Sequence, residues 1–183
     1  DEVAKEVQER YKNCQPVISH EYLKSKNVKS YGLKQLNGSL IVPVISATSG
    51  EVRSLQYIDK NGQKRFVSAS EIKGNVFLIG CEHNTLATQE SLMIVEGYST
   101  AATVYESTKI PTVCVFSANF TMEAVSKLRT ITQARLYIAL DNDENGVGER
   151  KAQEVASAIP NTFVRIPSAR GDYNDLARAH GLD

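Results

Sequence analysis

The chain has 183 residues, 42% hydrophobic and 23% charged, with 21 Lys and Arg balancing 21 Asp and Glu. That composition fits one large soluble domain or two small ones closely packed. No apolar run approaches the ~18–20 residues that cross a bilayer and no signal peptide is evident, so no membrane partner is expected.

The first residue is Asp1 rather than Met, so a piece of a longer protein is expected. Cys14, Cys81 and Cys114 are widely spaced and form neither a disulfide framework nor a CxxC zinc pattern, which points to a reducing, cytoplasmic setting. Cys114, between Val113 and Val115, reads as a small buried hydrophobe. The neutral total hides an asymmetry: residues 1–81 carry 12 Lys/Arg against 8 Asp/Glu, and residues 82–183 carry 9 against 13. A basic half joined to an acidic half suggests one part that attracts phosphate and one that attracts cations, although chance segregation gives the same counts.

Residues 1–13 read as the tail of a helix, with Val3 and Val7 at i, i+4. A short helix containing Tyr22 and Leu23 is predicted over 20–28. Strand signals follow at 40–45, 52–58, 64–68 and 76–79, separated by turn residues such as Asn37-Gly38 and Asn61-Gly62, which imply an antiparallel meander. After residue 82 the pattern changes. Apolar strands at 92–95, 112–116, 135–140 and 162–166 alternate with helices at about 99–107, 122–128, 148–158 and 174–180. Continuous apolar strands alternating with helices indicate a parallel sheet covered on both faces. The fold class expected is α/β: a parallel sheet flanked by helices at 82–183, preceded by a small α+β subdomain with antiparallel strands at 1–81.

Ligands bind at the carboxyl ends of the strands in an open parallel sheet. There strand 92–95 runs into Glu96-Gly97, and strand 135–140 runs into Asp141-Asn142-Asp143-Glu144. Like charges so close raise one another's proton affinity unless a cation neutralises them. An oxygen-rich cluster suits a hard divalent ion such as Mg²⁺, which keeps waters for substrate phosphates. Taken singly, Glu96 could be a helix N-terminal acid, and 141–146 a polar loop. An EF-hand fits poorly, because position 12 of that loop would be Ala152. His20, His83 and His180 lack metal-like spacing and read as structural or exposed.

Ile94-Val95-Glu96-Gly97-Tyr98 followed by Ala139-Leu140-Asp141-Asn142-Asp143 resembles the Toprim signature of one glutamate and a later Asp-x-Asp. Within that superfamily the chain most resembles primases of plasmids, integrative elements and phages, similar to the catalytic core of bacterial primases. Glu96-Gly97-Tyr98-Ser99-Thr100-Ala101 and Gly171-Asp172-Tyr173-Asn174-Asp175-Leu176 are similar to their glutamate and late acidic motifs. Upstream, His20-Glu21-Tyr22-Leu23, Ile41-Val42-Pro43-Val44, Lys64-Arg65-Phe66 and Lys73-Gly74 resemble the segment that precedes Toprim in such primases. The resemblance covers about residues 17–183.

The resemblance implies a DNA primase core: a metal-dependent nucleotidyltransferase that makes short RNA primers from nucleoside triphosphates on single-stranded DNA, with a replicative helicase in cis or trans. It assigns catalysis to Glu96, Asp141 and Asp143, and Mg²⁺ or Mn²⁺ ligation to these with Asp172 or Asp175. Asp172 reads equally well as a helix N-cap. By analogy Arg53, Lys64, Arg65 and Lys73 would grip template backbone or triphosphate, each with a solvated surface cation as the alternative; Lys73, beside Gly74, is favoured among them. Tyr57 and Phe66 read as core of a small sheet before stacking platforms. Two other readings keep the Toprim fold: a module that binds nucleic acid without catalysis, and a nuclease. The zinc-binding and helicase modules of such primases do not occur in these residues, so template selection or initiation is expected to need parts outside them.

Overall fold

A computed structural model describes residues 2–181. Helix α1 (Glu2–Lys12) packs on the sheet through Ala4 and Val7, an i, i+3 pair that carries its buried face, with Val3 of the expected i, i+4 pair only partly buried beside them. After the short strand β1 (Gln15–Pro16) comes helix α2 (Glu21–Lys26). His20 caps α2: its Nδ1 accepts from the Tyr22 N–H at 3.2 Å while Nε2 meets the Gly38 carbonyl at 3.0 Å. With Nδ1 as the acceptor, Nε2 is the nitrogen that faces the carbonyl, a structural role for this histidine.

Strands β2 (Lys34–Leu36), β3 (Ser39–Ser46), β4 (Val52–Ile58) and β5 (Lys64–Phe66) form the expected antiparallel meander. Strand β5 ends two residues earlier than the sequence pattern indicates, because the Ser70 hydroxyl turns back onto the Val67 carbonyl. Strand β6 (Asn75–Ile79) leaves the meander. It pairs with the end of β3 at Ile45 and Ser46, then runs antiparallel beside β8 (Thr112–Cys114). The remaining strands, β7 (Ser91–Val95), β9 (Arg135–Ile138) and β10 (Thr162–Val164), are parallel to β8, in the order β6-β8-β7-β9-β10. One sheet thus runs through the whole chain, and β6 is its joint.

Period-2 alternation explains the two layers. On β7, Leu92 and Ile94 face one core with Val113 and Leu136, covered by α4 (Thr121–Arg129) and α5 (Val147–Ala158) through Val125, Leu128, Ala152 and Val155. Met93 and Val95 face the opposite core, covered by α3 (Tyr98–Thr108). That second core also takes in Tyr22, Leu40 and Ile58, so the basic and acidic halves share buried contacts. Helix α6 (Tyr173–His180) packs against α3. Strand β8 is cut short by Phe116, which adopts a left-handed φ of 70°; an aromatic side chain holds that conformation only where its surroundings over-determine it. Two 3-10 turns, His83–Thr88 and Ala118–Phe120, were not foreseen from the sequence, nor were β1 and β2. Among the described residues, no helix is long and apolar enough to cross a membrane.

Candidate active site

Glu96 follows β7 immediately and turns over the carboxyl end of the sheet. Its two oxygens accept from two different loops: Oε1 from the Asp141 N–H at 3.3 Å, and Oε2 from the Ala118 N–H at 3.2 Å. These bonds favour the charged form, but burial outweighs them and raises the Glu96 proton affinity, with Asp143 and Asp172 adding like-charge repulsion. Asp141 follows β9 by three residues. Burial first, then the charges of Glu96 and Asp172, push its carboxyl up to about 7. Its Oδ1 is buried without a hydrogen-bond partner. A buried polar atom without a hydrogen-bond partner costs free energy until a partner arrives.

Asp143 is held differently. Its Oδ1 accepts from the Val147 N–H and its Oδ2 from the Gly148 N–H, both at 2.9 Å, so it clamps the first turn of α5. These backbone donors hold its carboxyl below the usual aspartate range. Gly148 makes the clamp possible, since a Cβ there would clash with the Asp141 carbonyl oxygen. Asp172 is the N-cap of α6, accepting from the Asp175 N–H at 2.9 Å, while Asp175 Oδ2 accepts from the Asp172 N–H at 3.3 Å. This reciprocal capping box engages both residues structurally. A two-way backbone bridge between Asn142 and Gly171, at 2.9 and 3.0 Å, seats that late motif beside the Asp-x-Asp loop, and both acids act on Asp141.

The four basic residues singled out in the sequence separate. Lys64 reaches the acids: its Nζ lies 3.4 Å from where a Cβ on Gly97 would stand, and its charge lowers the proton affinity of Asp141. Phe66, two residues on, packs edge-on against Phe116 at 5.7 Å, which brings β5 over the carboxyl end of β8. Arg65 points the other way and lies over the Tyr57 ring at 5.1 Å. Arg53 pairs with Glu51 and Lys73 with Glu123, each at 2.7 Å. The favoured Lys73 therefore spends its charge on α4, and Lys64 is the cation beside the carboxylates.

Sequence reasoning did not find the Ala118 N–H that holds Glu96, although Ser117, a capping residue just past an apolar strand, was a usable signal. A cleft of about 790 Å³ between α3 and α6 is lined by Val104, Tyr137 and Leu176 and by none of the acids.

Residues 91–183, half of the chain, match the Toprim domain family. The chain belongs to that family. Beyond the Toprim match, it is similar to the DNA primase TraC of Escherichia coli, 33% identical over 149 residues that make up 75% of this chain and 14% of TraC. A second TraC from Escherichia coli is 33% identical over 127 residues, 64% of this chain and 9% of the relative. The chain therefore spans a small part of the curated relatives it matches. Among solved structures, the primase fragment of the bacteriophage T7 primase-helicase protein matches with a TM-score of 0.68 at 17% identity, over 94% of this chain and 74% of that one. The DnaG catalytic core matches with a TM-score of 0.67 at 11% identity, over 98% and 75%. These two likenesses establish a shared fold, a Toprim sheet with its preceding antiparallel segment.

Proposed function

We propose that this Toprim chain is the catalytic core of a DNA primase, making short RNA primers from nucleoside triphosphates on single-stranded DNA. The observation that carries the reading is Asp141: a carboxylate beside Glu96, with an orphaned buried oxygen and a proton affinity raised to about 7. That donor set fits a divalent cation, Mg²⁺ or Mn²⁺. Among the described residues, no three His, Cys, Asp or Glu side chains converge into a complete cage. Mg²⁺ typically takes one or two carboxylates and completes its shell with water and phosphate. Glu96 and Asp141 would hold it, with Asp143 at the rim and Asp172 and Asp175 adding negative potential. Such an ion supplies neutralisation of triphosphate charge and a lowered pKa for a primer 3′-hydroxyl.

The chain's own residues supply the rest. The Glu96 carboxylate is oriented by two backbone donors before any ligand arrives. Lys64, on β5 above Gly97, is placed to meet a triphosphate oxygen at the edge of the acids. Residues 1–81 are the basic, nucleic-acid-facing subdomain and residues 82–183 the catalytic one; Lys64 is the basic residue the proposal assigns to the site, since Arg53 and Lys73 are ion-paired with Glu51 and Glu123 and Arg65 lies over Tyr57. A replicative helicase as partner and a cytoplasmic setting complete the proposal.

The test is extension of a short RNA primer annealed to single-stranded DNA, with labelled nucleotides and Mg²⁺ or Mn²⁺. The wild type should extend. Glu96→Gln and Asp141→Asn should not, and Lys64→Gln should be strongly impaired with its fold intact by circular dichroism. Cleavage without nucleotides would make the protein a nuclease. Metal-dependent DNA binding with neither reaction would make it a binding module.

A further inference from the structure

The turn formed by residues 26–31, at the end of α2, bonds to both acidic motifs in the same way. Two residues after Glu96, the Tyr98 hydroxyl donates to the Lys29 carbonyl at 2.6 Å. Two residues after Asp172, the Asn174 Nδ2 donates to the Lys26 carbonyl at 2.8 Å. Tyr98 is 0% exposed and Asn174 1% exposed. The other hydrogen of the Asn174 amide goes to Thr103 Oγ1 on α3, also at 2.8 Å, so a single side chain ties α6, α3 and the turn together. Its Oδ1 is left buried without a partner, which marks geometry chosen for the two donors.

The turn itself is held in an unusual shape. Asn27 and Tyr31 have left-handed φ values of 53° and 30°. Glu106 of α3 pins it from a third side, with Oε1 accepting from the Lys29 N–H at 3.2 Å and the Tyr31 hydroxyl at 2.9 Å. A backbone conformation of this kind persists only where several contacts impose it.

We propose that the 26–31 turn is a latch setting the spacing of the Glu96 and Asp172 ends of the site, with Tyr98 and Asn174 as positioning residues. The basic subdomain thereby holds both acidic ends of the Toprim sheet, in addition to the direct Asn174–Thr103 bond between α6 and α3. The latch rests on the reading of these acids as the active site, but its test needs neither metal nor nucleotide.

Hydrogen exchange on the whole metal-free chain reports each end separately. The Ala118 N–H is held by Glu96, and the Gly171 N–H by the Asn142 carbonyl. Tyr98→Phe removes one hydroxyl and should speed exchange at Ala118 and also at Gly171, each by about five- to tenfold, the loss of one ordinary hydrogen bond. Asn174→Ala should speed the same pair. Tyr98→Phe alone carries the test if that variant does not fold. Tyr173→Phe is the control, since its hydroxyl bonds the Arg165 carbonyl and not the turn; Ala118 should be unmoved in it. Acceleration confined to each variant's own end, or the same effect at Ala118 from Tyr173→Phe, would overturn the latch. The active-site reading itself would be judged separately by the primer-extension assay.

Discussion

Replacing Asp141 with Asn should make the metal-free protein more stable and unable to gain from metal. The folded protein holds this carboxyl at about 7 against an ordinary 3.8, chiefly through burial and the neighbouring Glu96 charge. At about 1.4 kcal/mol per tenfold change in proton affinity, the upper bound on the penalty for ionisation is roughly 4 kcal/mol. Asp141 is only half-buried and solvent screens part of that, leaving about 2 kcal/mol. Since the folded state binds this proton more tightly than the unfolded chain, it holds the proton between about pH 3.8 and 7 while the unfolded chain has released it. Stability therefore falls as pH rises through that window. Asn carries no charge, and Oδ1 has no bond to lose. At pH 8 without metal the variant should melt about 4–8 °C above wild type, at roughly 2–4 °C per kcal/mol for a chain of this size. At pH 4.5 most of the difference should vanish. Added Mg²⁺ should raise the wild-type midpoint at pH 8 and leave the variant's unchanged, because only the intact site binds it. Calorimetric scans at the two pH values, with and without Mg²⁺, decide the matter. A variant no more stable than wild type at pH 8 would refute the reasoning.

Two further outcomes follow from the α5 terminus. Gly148→Ala should cost about 1–3 kcal/mol in urea unfolding and displace Asp141, because the new Cβ meets a backbone oxygen that no side-chain rotation can relieve. Asp143→Ala should lower the melting temperature at neutral pH, since both carboxylate oxygens cap α5. Its depressed proton affinity means this contribution is present above the unfolded aspartate range and lost as pH falls through the lower folded value. The gap to wild type should therefore close in acid, and Asp143→Asn, which keeps one acceptor, should lie between the two. A stability deficit that does not depend on pH would remove Asp143 from the cap.

What could be read in the sequence was what a local pattern determines. The apolar runs at 92–95 and 135–140 placed two strand ends, and the rule that ligands gather there singled out Glu96 and Asp141. Asp172 could be weighed as a cap because N-cap preference is local, and the structure has it capping α6 with Asp175. The roles of the lysines could not be separated in that way. Lys64 and Lys73 both stand beside features that invite a phosphate. They differ because β5 pairs Lys64 with Ile58 and folds over the end of β8, whereas Lys73 lies within reach of Glu123, fifty residues later in the chain. The same limit hid β6. Its composition suits the meander, but its pairing with β8 depends on where a strand more than 30 residues downstream comes to rest. Asp141 and Asp143 illustrate the limit at the shortest range. Two residues apart in the sequence, they looked like equivalent ligands. The N-terminus of α5 donates two N–H groups to Asp143, whereas Asp141 is buried beside the charges of Glu96 and Asp172, so one proton affinity falls and the other rises. In the proposed function the metal would therefore be held by Glu96 and Asp141, and Asp143 acts first as the residue that caps α5 through the Val147 and Gly148 N–H groups.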